Sequence, residues 1–167
     1  VDVRGSAPGT RETDLLDPIN SVQKVHAVVL SGGSAFGLES TCGVSKYLEE
    51  KNIGFDVGVC KVPIVTGAVL FDLAVGDYKV RPDKEMGYKA CLNASETELK
   101  QGNYGAGCGA TVGKVKGLDY VTKGGIGSYS IKLDNGIVVS ALIAVNAFGD
   151  VYEDGQVIAG VLNDDKN

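Results

Sequence analysis

Asn146 is the residue whose type and position first suggest chemistry. It follows the most apolar run of the chain, residues 137–145, and precedes Ala147-Phe148-Gly149. The run is rich in β-branched residues, carries no charge and follows an Asn135-Gly136 turn, which together predict a fully buried strand. A buried amide without partners costs roughly a few kcal/mol. Asn146 is therefore expected either to cap a turn at the strand end or to point into a cleft.

Lys114 is a second candidate, because it directly follows the glycine-rich stretch 102–113. The stretch has the composition of a phosphate-binding loop. However, Gly109 and Gly113 are separated by three residues rather than four, and Val115 stands where Ser or Thr is needed. This spacing excludes a nucleoside triphosphatase. Lys114 is then either a functional cation, beside a main chain that another group approaches closely, or an ordinary surface lysine.

The segment Gly32-Gly33-Ser34 lies between a predicted strand at 24–30 and a predicted helix at 35–51. Ser34 is expected to cap that helix, and a helix start of this kind favours anions. The two adjacent glycines exclude the spacing of a dinucleotide-binding fingerprint. The alternative is a tight strand-to-helix turn that binds nothing.

Other catalytic chemistries have little support in the sequence. The one histidine, His26, falls inside a predicted strand, where a structural role is expected, and no spacing suggests paired carboxylates. The cysteines lack a C-x-x-C pattern, so they are predicted to be free thiols in a reducing cytosol rather than a zinc site or disulfides; they are Cys42, Cys60, Cys91 and Cys108. No metal or cofactor is expected.

These residues must be positioned by strands and helices, and the predicted order of these elements indicates a mixed α/β domain, with a large sheet and helices on one face. Either one strand or a pair of short strands broken at Gly67 is predicted at 62–73, and a helix is predicted at 83–94 with acids in its first turn. Two hairpins should follow, one pairing 128–133 with 137–145 and one turning at Asp154-Gly155. The polar segment 1–20 is either a solvated loop or a loop packed over a site.

Composition limits the class of protein. With 167 residues and 44% hydrophobic residues, the chain is expected to form one domain over 1–167 with a real core. Its 24 glycines, roughly twice the usual share, imply tight turns and close backbone approaches. The net charge of −5 without a basic stripe argues against nucleic acid. No run is long enough to span a membrane and no signal peptide is visible, so a cytoplasmic location is expected.

Several segments together resemble the self-processing L-aminopeptidase/D-esterase family, which includes β-peptidyl aminopeptidases and the nylon-oligomer hydrolase. They cover essentially the whole chain in the family's order and comprise residues 1–14, 30–39, 81–84, 105–114, 123–128 and 145–150. The resemblance implies an α/β fold, an αββα sandwich of the type shared with ornithine acetyltransferases, completed by a second chain.

The resemblance also implies a mechanism. Members of the family cut one precursor once, and the new N-terminal Ser or Thr becomes the nucleophile, with its own α-amine as base. Residues 1–167 would then be the α subunit, lacking the first residues of the precursor, with the cut after Asn167. The implied activity is release of N-terminal residues from short peptides, amides or esters, by αβ units that associate further.

Site residues follow from the same resemblance. Asn146 matches the asparagine that contacts the nucleophile or the oxyanion, and Lys114 matches a lysine near the nucleophile, where a cation favours the neutral amine. Phe71 stands near a position where some members have an oxyanion-binding Tyr, and it has no hydroxyl. The substrate pocket is expected to include Phe71, Gly32, Gly33 and Ser34.

Two alternatives remain open at this stage. The chain could belong to a transferase of the ornithine acetyltransferase type, which uses the same self-cleaved Thr. It could also be a non-catalytic module that binds small anions at residues 31–34, and residues 1–167 would then be stable alone. The apolar strand before Asn146 argues against the module, because its edges are expected to need another fragment.

Overall fold

The structure is a computed structural model and describes residues 1–96 and 99–165. Asn167, the predicted cleavage position, lies outside the described residues. The strands are β1 (Thr10–Arg11), β2 (Ala27–Ser31), β3 (Phe55–Asp56), β4 (Lys61–Val62), β5 (Val65–Val69), β6 (Thr111–Val112), β7 (Thr122–Lys123), β8 (Gly125–Lys132), β9 (Val138–Val145), β10 (Val151–Glu153) and β11 (Gln156–Ala159). The α-helices are α1 (Ser40–Glu50) and α2 (Lys84–Leu92), and short 3-10 helices occupy Asp14–Leu16, Ser34–Glu39, Gly105–Gly107 and Leu118–Tyr120.

The chain divides into two compact units. The first consists of Val1–Leu70 and Lys79–Ser95, and the second of Phe71–Tyr78 and Glu96–Asn167. The first unit holds β1 to β5 with both α-helices, and the second holds β6 to β11. The mixed α/β class predicted from the sequence is therefore confirmed, and the single domain over 1–167 stays a prediction.

In the first unit, β5 is the central strand of a three-stranded sheet, antiparallel to β1 and parallel to β2. Its Val65 packs with Val44 and Leu48 of α1 to form a small core. The helices α1 and α2 cross with their backbones nearly touching, since a Cβ at Gly43 would lie 1.9 Å from the Lys84 carbonyl oxygen. Only glycine permits so close a crossing.

Three expectations for the first unit need correction. The helix predicted at 35–51 is split into a 3-10 segment and α1, because Gly37 packs directly against the Gly32 carbonyl oxygen and tightens the first turns. Ser34 does not cap it, since it lies inside the 3-10 segment. The strand break predicted at Gly67 falls instead between β4 and β5, and Gly67 lies within β5, beneath the Thr41 side chain.

Short antiparallel pairs make up the second unit: β6 with β7, β8 with β9, and β10 with β11. Both predicted hairpins are confirmed. The Asp154-Gly155 turn has positive φ at both residues, 49° and 78°, as the tight turns favoured by hairpins require. In the β8–β9 ribbon, Gly125 lies opposite Val145 and Lys132 lies opposite Val138.

The β8–β9 ribbon corrects the prediction of a fully buried strand at 137–145, because most of β9 is exposed in this chain. Cross-strand partners share a face, so one face of the ribbon carries apolar side chains and glycines only. We call this the apolar face, and it consists of Gly125, Gly127, Tyr129, Ile131, Val139, Ala141, Ile143 and Val145. On the opposite face, Leu142 and Val138 are also about half exposed, beside a Ser130–Ser140 hydrogen bond.

The large sheet expected from the sequence is also not found in the described ranges, where the largest sheet has three strands. The hairpin turns pair neighbouring strands locally, and β9 has no partner there other than β8. Within the same ranges, no helix combines the length and apolar character that a membrane crossing needs.

Close backbone approaches explain the glycine-rich stretch 102–113. A Cβ on Gly107 would lie 2.3 Å from the Gly102 carbonyl oxygen and 2.4 Å from the Ile126 nitrogen. Gly113 has φ +73°, and a Cβ there would lie 2.1 Å from the Val161 nitrogen. These glycines thus let neighbouring main-chain segments pass closer together than any side chain would allow.

Candidate active site

The side-chain amide of Asn146 is held from both ends. Its Oδ1 accepts hydrogen bonds from the Thr111 amide at 3.0 Å and from Lys114 Nζ at 3.1 Å, and its Nδ2 donates to the Phe71 carbonyl oxygen at 2.9 Å. Both partners of Oδ1 are donors only, so the orientation of the amide is defined. Its second Nδ2 proton meets no acceptor in residues 1–96 and 99–165. One N–H of a fixed amide is therefore available at the end of β9.

Local backbone pairing brings these residues together. Asn146 directly follows β9, and Lys114 follows β6 after the left-handed Gly113. The two segments run side by side, because the Gly113 amide donates to the Gly149 carbonyl oxygen at 2.9 Å and the Lys114 amide to that of Phe148 at 2.7 Å. Main-chain pairing thus brings the two separately predicted candidates, Asn146 and Lys114, side by side.

The Lys114 ammonium is surrounded by oxygen atoms of the chain itself. Nζ lies 2.7 Å from the Thr111 carbonyl oxygen, 3.0 Å from those of Asn146 and Ala147, and 3.1 Å from Asn146 Oδ1. These four acceptors occupy all three ammonium protons. Partial burial lowers the pKa of Lys114, whereas hydrogen bonds to its charged form oppose that effect. Lys114 is thus not an ordinary surface lysine.

Phe71 meets Asn146 through its main chain, while its ring is about half exposed. The same residue borders a small cleft of about 20 Å³ that is lined by Phe71, Asp72, Ala74, Val75, Thr111, Lys114, Leu118 and Val121. That volume is room for about one water molecule. This cleft is thus too small to be a substrate pocket by itself.

The other predicted pocket residues lie in the first unit. Gly32 and Gly33 are buried, and Gly33 and Ser34 both have left-handed backbones, with φ of 81° and 53°. The Ser34 amide donates to the Leu70 carbonyl oxygen at 3.0 Å, so it is not available to an anion. This contact weakens the anion-binding alternative, and the role of Gly32, Gly33 and Ser34 in substrate binding stays a prediction.

The structure confirms the structural role of His26, whose Nδ1 accepts a hydrogen bond from the Ile64 amide at 3.0 Å. It lies just before β2 rather than within it. The four cysteines are free thiols, as predicted. Thr111 could not be identified from the sequence, since its contribution to the site comes from main-chain atoms, which leave no trace in residue type.

Comparison with known proteins places this chain in a family. The sequence profile of Peptidase family S58 matches residues 1–166. An uncharacterized aminopeptidase from Mycobacterium leprae is 48% identical over 160 residues, which are 92% of this chain and 42% of the relative. A 6-aminohexanoate-oligomer endohydrolase from Paenarthrobacter ureafaciens is 36% identical over 115 residues, 69% of this chain and 30% of the relative.

The chain belongs to Peptidase family S58, in agreement with the resemblance seen in its motifs. It spans about 42% of the length of the mycobacterial aminopeptidases, including one from Mycobacterium tuberculosis that is 48% identical over 155 residues.

Proposed function

We propose that this chain is the α subunit of a self-cleaved amide hydrolase. The nucleophile is the N-terminal Ser or Thr of a β chain cut from the same precursor, and the enzyme releases N-terminal residues from short peptides, amides or esters. Family membership supports this proposal, as do the names of the relatives, aminopeptidase and oligomer endohydrolase, which both denote hydrolysis.

The observation that carries the proposal is the fixed amide of Asn146 with one N–H to spare. Amide hydrolysis passes through a tetrahedral intermediate with a negative oxygen, and a donor oriented in advance stabilises that oxygen without reorganisation. A donor of this kind contributes about 3 kcal/mol to the transition state. Its orientation is set by Thr111, Lys114 and Phe71 before any substrate arrives.

The base in this mechanism is the α-amine of the new N-terminus, which titrates near neutrality and needs no histidine. A fixed cation nearby favours the neutral amine, the form that accepts the proton of the nucleophile. Lys114 is the candidate for this cation, because the chain holds its ammonium in place through four oxygen atoms. His26, which is engaged with the Ile64 amide, has no part in it.

The β8–β9 ribbon supports the participation of a second chain. Tyr129 is 72% exposed and Val139 57% exposed on its apolar face, and Val138 is 58% exposed on the other. Contiguous exposed apolar patches and long exposed edge strands mark surfaces that another chain covers. A ribbon with apolar side chains on both faces suits an inner layer of an αββα sandwich, which we propose is completed by the β chain.

The proposal is tested on the full-length precursor. Intact mass and N-terminal sequencing of the purified protein should show two chains, the second beginning with Ser or Thr, and the sequence-based prediction places the cut after Asn167. The two-chain protein should hydrolyse amino-acid p-nitroanilides, and replacing the new N-terminal residue by Ala should abolish both the cut and the hydrolysis. An uncut chain with full activity would contradict the proposal.

The same sample separates the proposed hydrolase from the transferase alternative. Transfer of the acetyl group from N-acetylornithine to glutamate, at a rate exceeding hydrolysis of the anilides, would favour the transferase. Light scattering of the processed protein would give the number of αβ units that associate.

A further inference from the structure

The side chain of Lys123 makes a second cluster of hydrogen bonds to main-chain carbonyl oxygens, and the proposed function assigns it no role. Its Nζ lies 2.6 Å from the Cys108 carbonyl oxygen, 3.1 Å from that of Ala110 and 3.3 Å from that of Gly107. Three acceptors match the three protons of the ammonium. All belong to the glycine-rich stretch, so this cation holds the loop that leads into β6.

One of these carbonyls belongs to a peptide group that reaches Asn146. The Ala110 carbonyl oxygen accepts from Lys123 Nζ and also from the Gly124 amide at 2.8 Å. The N–H of the same peptide group, that of Thr111, donates to Asn146 Oδ1 at 3.0 Å. Ala110 is fully buried and Thr111 is 5% exposed, so water has little access to this peptide group, while Lys123 itself is exposed.

From these contacts we infer that Lys123 is a positioning residue for the oxyanion donor Asn146, acting through the Ala110–Thr111 peptide group; this rests on the proposed function. A cation on the carbonyl oxygen polarises the peptide, which strengthens the hydrogen bond that its N–H donates. The firmer bond to Oδ1 holds the Asn146 amide in the orientation that presents its other proton. Lys114 bonds to Asn146 directly, whereas the hydrogen bonds of Lys123 Nζ go to the carbonyl oxygens of the glycine-rich stretch.

The backbone around Lys123 is held independently of its side chain. In the β6–β7 pair Thr111 lies opposite Lys123, and the Gly124 amide bonds to the Ala110 carbonyl oxygen whichever residue occupies position 123. Lys123→Met should therefore fold and be processed, while losing the charge. Lys116→Met is a matched control, since Lys116 pairs with the exposed Asp164 and an exposed pair contributes little.

Kinetics of the processed enzyme test the inference. Lys123→Met should lower kcat about tenfold with little change in KM, less than the roughly 10²–10³ expected for loss of an oxyanion donor. Lys123→Arg should restore part of the loss, and Lys116→Met should match the wild type. Unchanged kcat in Lys123→Met, or an equal loss in Lys116→Met, would overturn the inference.

A double-mutant cycle separates positioning from general structural support. If Lys123 acts through Asn146, then Lys123→Met should cost almost nothing further in an Asn146→Ala background. Independent, multiplying effects would overturn the inference while leaving the proposed function intact. If Asn146→Ala alone left kcat unchanged, the proposed oxyanion donor itself would fail.

A spectroscopic signature covers the case in which a variant is not processed. With ¹⁵N-threonine labelling, the Thr111 amide proton should shift upfield in Lys123→Met, because its hydrogen bond weakens, and return toward the wild-type position in Lys123→Arg. An unchanged Thr111 resonance in Lys123→Met would overturn the inference without any activity measurement.

Discussion

Lys114 Nζ lies 3.1 Å from the side-chain oxygen of Asn146 and 3.0 Å from its carbonyl oxygen, so one ammonium holds the main chain and the side chain of the same asparagine. The Thr111 amide supplies the second donor to Oδ1. This arrangement orients the amide nitrogen away from the cation, toward the Phe71 carbonyl oxygen.

Asn146→Ala should lower kcat by roughly 10²–10³ with little change in KM, because a donor to the oxyanion acts mainly in the transition state. Steady-state kinetics on protein whose processing has been verified by mass would measure this. Asn135→Ala, which removes the same side chain at the tip of the β8–β9 hairpin, should behave like the wild type. Full turnover in processed Asn146→Ala would remove Asn146 from the site.

The lowered pKa of Lys114 predicts an early alkaline loss of activity. As the pH rises through that pKa, the ammonium loses its charge while ordinary lysines stay protonated, and Asn146 Oδ1 loses a charged partner. We expect kcat to fall there. Lys114→Arg should turn over more slowly at neutral pH, yet keep a flatter alkaline profile because a guanidinium does not titrate in this range.

Stability should respond to the same titration with the opposite sign. Between the lowered folded-state pKa and the ordinary unfolded value, the unfolded chain binds more protons at Lys114 than the folded chain does. The contribution of this site to the free energy of unfolding therefore rises with pH in that window. Denaturant unfolding of the wild type and of Lys114→Met across this pH window isolates the contribution of Lys114 to the free energy of unfolding. If the stability difference between the wild type and Lys114→Met shrank as the pH rose through the window, the lowered pKa of Lys114 would be contradicted.

Val139→Asp should prevent stable association with the second chain, because it places a charge in the apolar face that we propose is buried. Asn135→Asp is the matched control: it adds the same charge to the same ribbon and keeps the acceptor for the Ile137 amide. Size-exclusion chromatography of the processed proteins would compare them. Equal yields of the two-chain complex would show that the apolar face stays in solvent.

Phe71→Ala should raise KM about tenfold through lost apolar contact while changing kcat little. The hydrogen bond from Asn146 goes to the carbonyl oxygen of residue 71, which every residue provides. Kinetics with a series of aminoacyl anilides would separate the two constants. A fall in kcat as large as the rise in KM would instead assign the ring a role in the transition state.

Gly107→Ala should destabilise the protein by about 1–3 kcal/mol or more, because the added methyl group meets main-chain atoms of Gly102 and Ile126 that cannot move aside. At Gly149 a Cβ would meet nothing within 4 Å, so Gly149→Ala should have little effect. Thermal unfolding of the two variants provides the comparison. Similar midpoints would mean that the loop relaxes around the added methyl group.

Features encoded by local sequence were predictable. The Asp154-Gly155 turn produced its hairpin, and the helix predicted at 83–94 forms as α2 with Glu85 in its first turn. Asn146 and Lys114 were also identified as candidates, because an amide after an apolar strand and a lysine in a glycine-rich stretch are unusual residues for their surroundings.

Features that depend on tertiary contact were not predictable. The sequence could not indicate that Gly37 would pack on Gly32 and split a helix, or that the Thr111 amide would bind Asn146. The exposure of β9 was not predictable for a different reason. An apolar run indicates that a strand prefers burial, but it does not indicate which chain buries the strand.

The atoms that surround the Asn146 amide and the two lysines belong mostly to the main chain: the Thr111 amide and the carbonyl oxygens of Phe71, Gly107, Cys108, Ala110, Thr111, Asn146 and Ala147. Main-chain hydrogen bonds of this kind persist when an exposed side chain such as that of Phe71 is replaced, although Gly107 has no room for a side chain. If the proposed function holds, laboratory evolution of substrate range can therefore randomise positions such as 71 and 147 while the hydrogen bonds that orient Asn146 and Lys114 are kept.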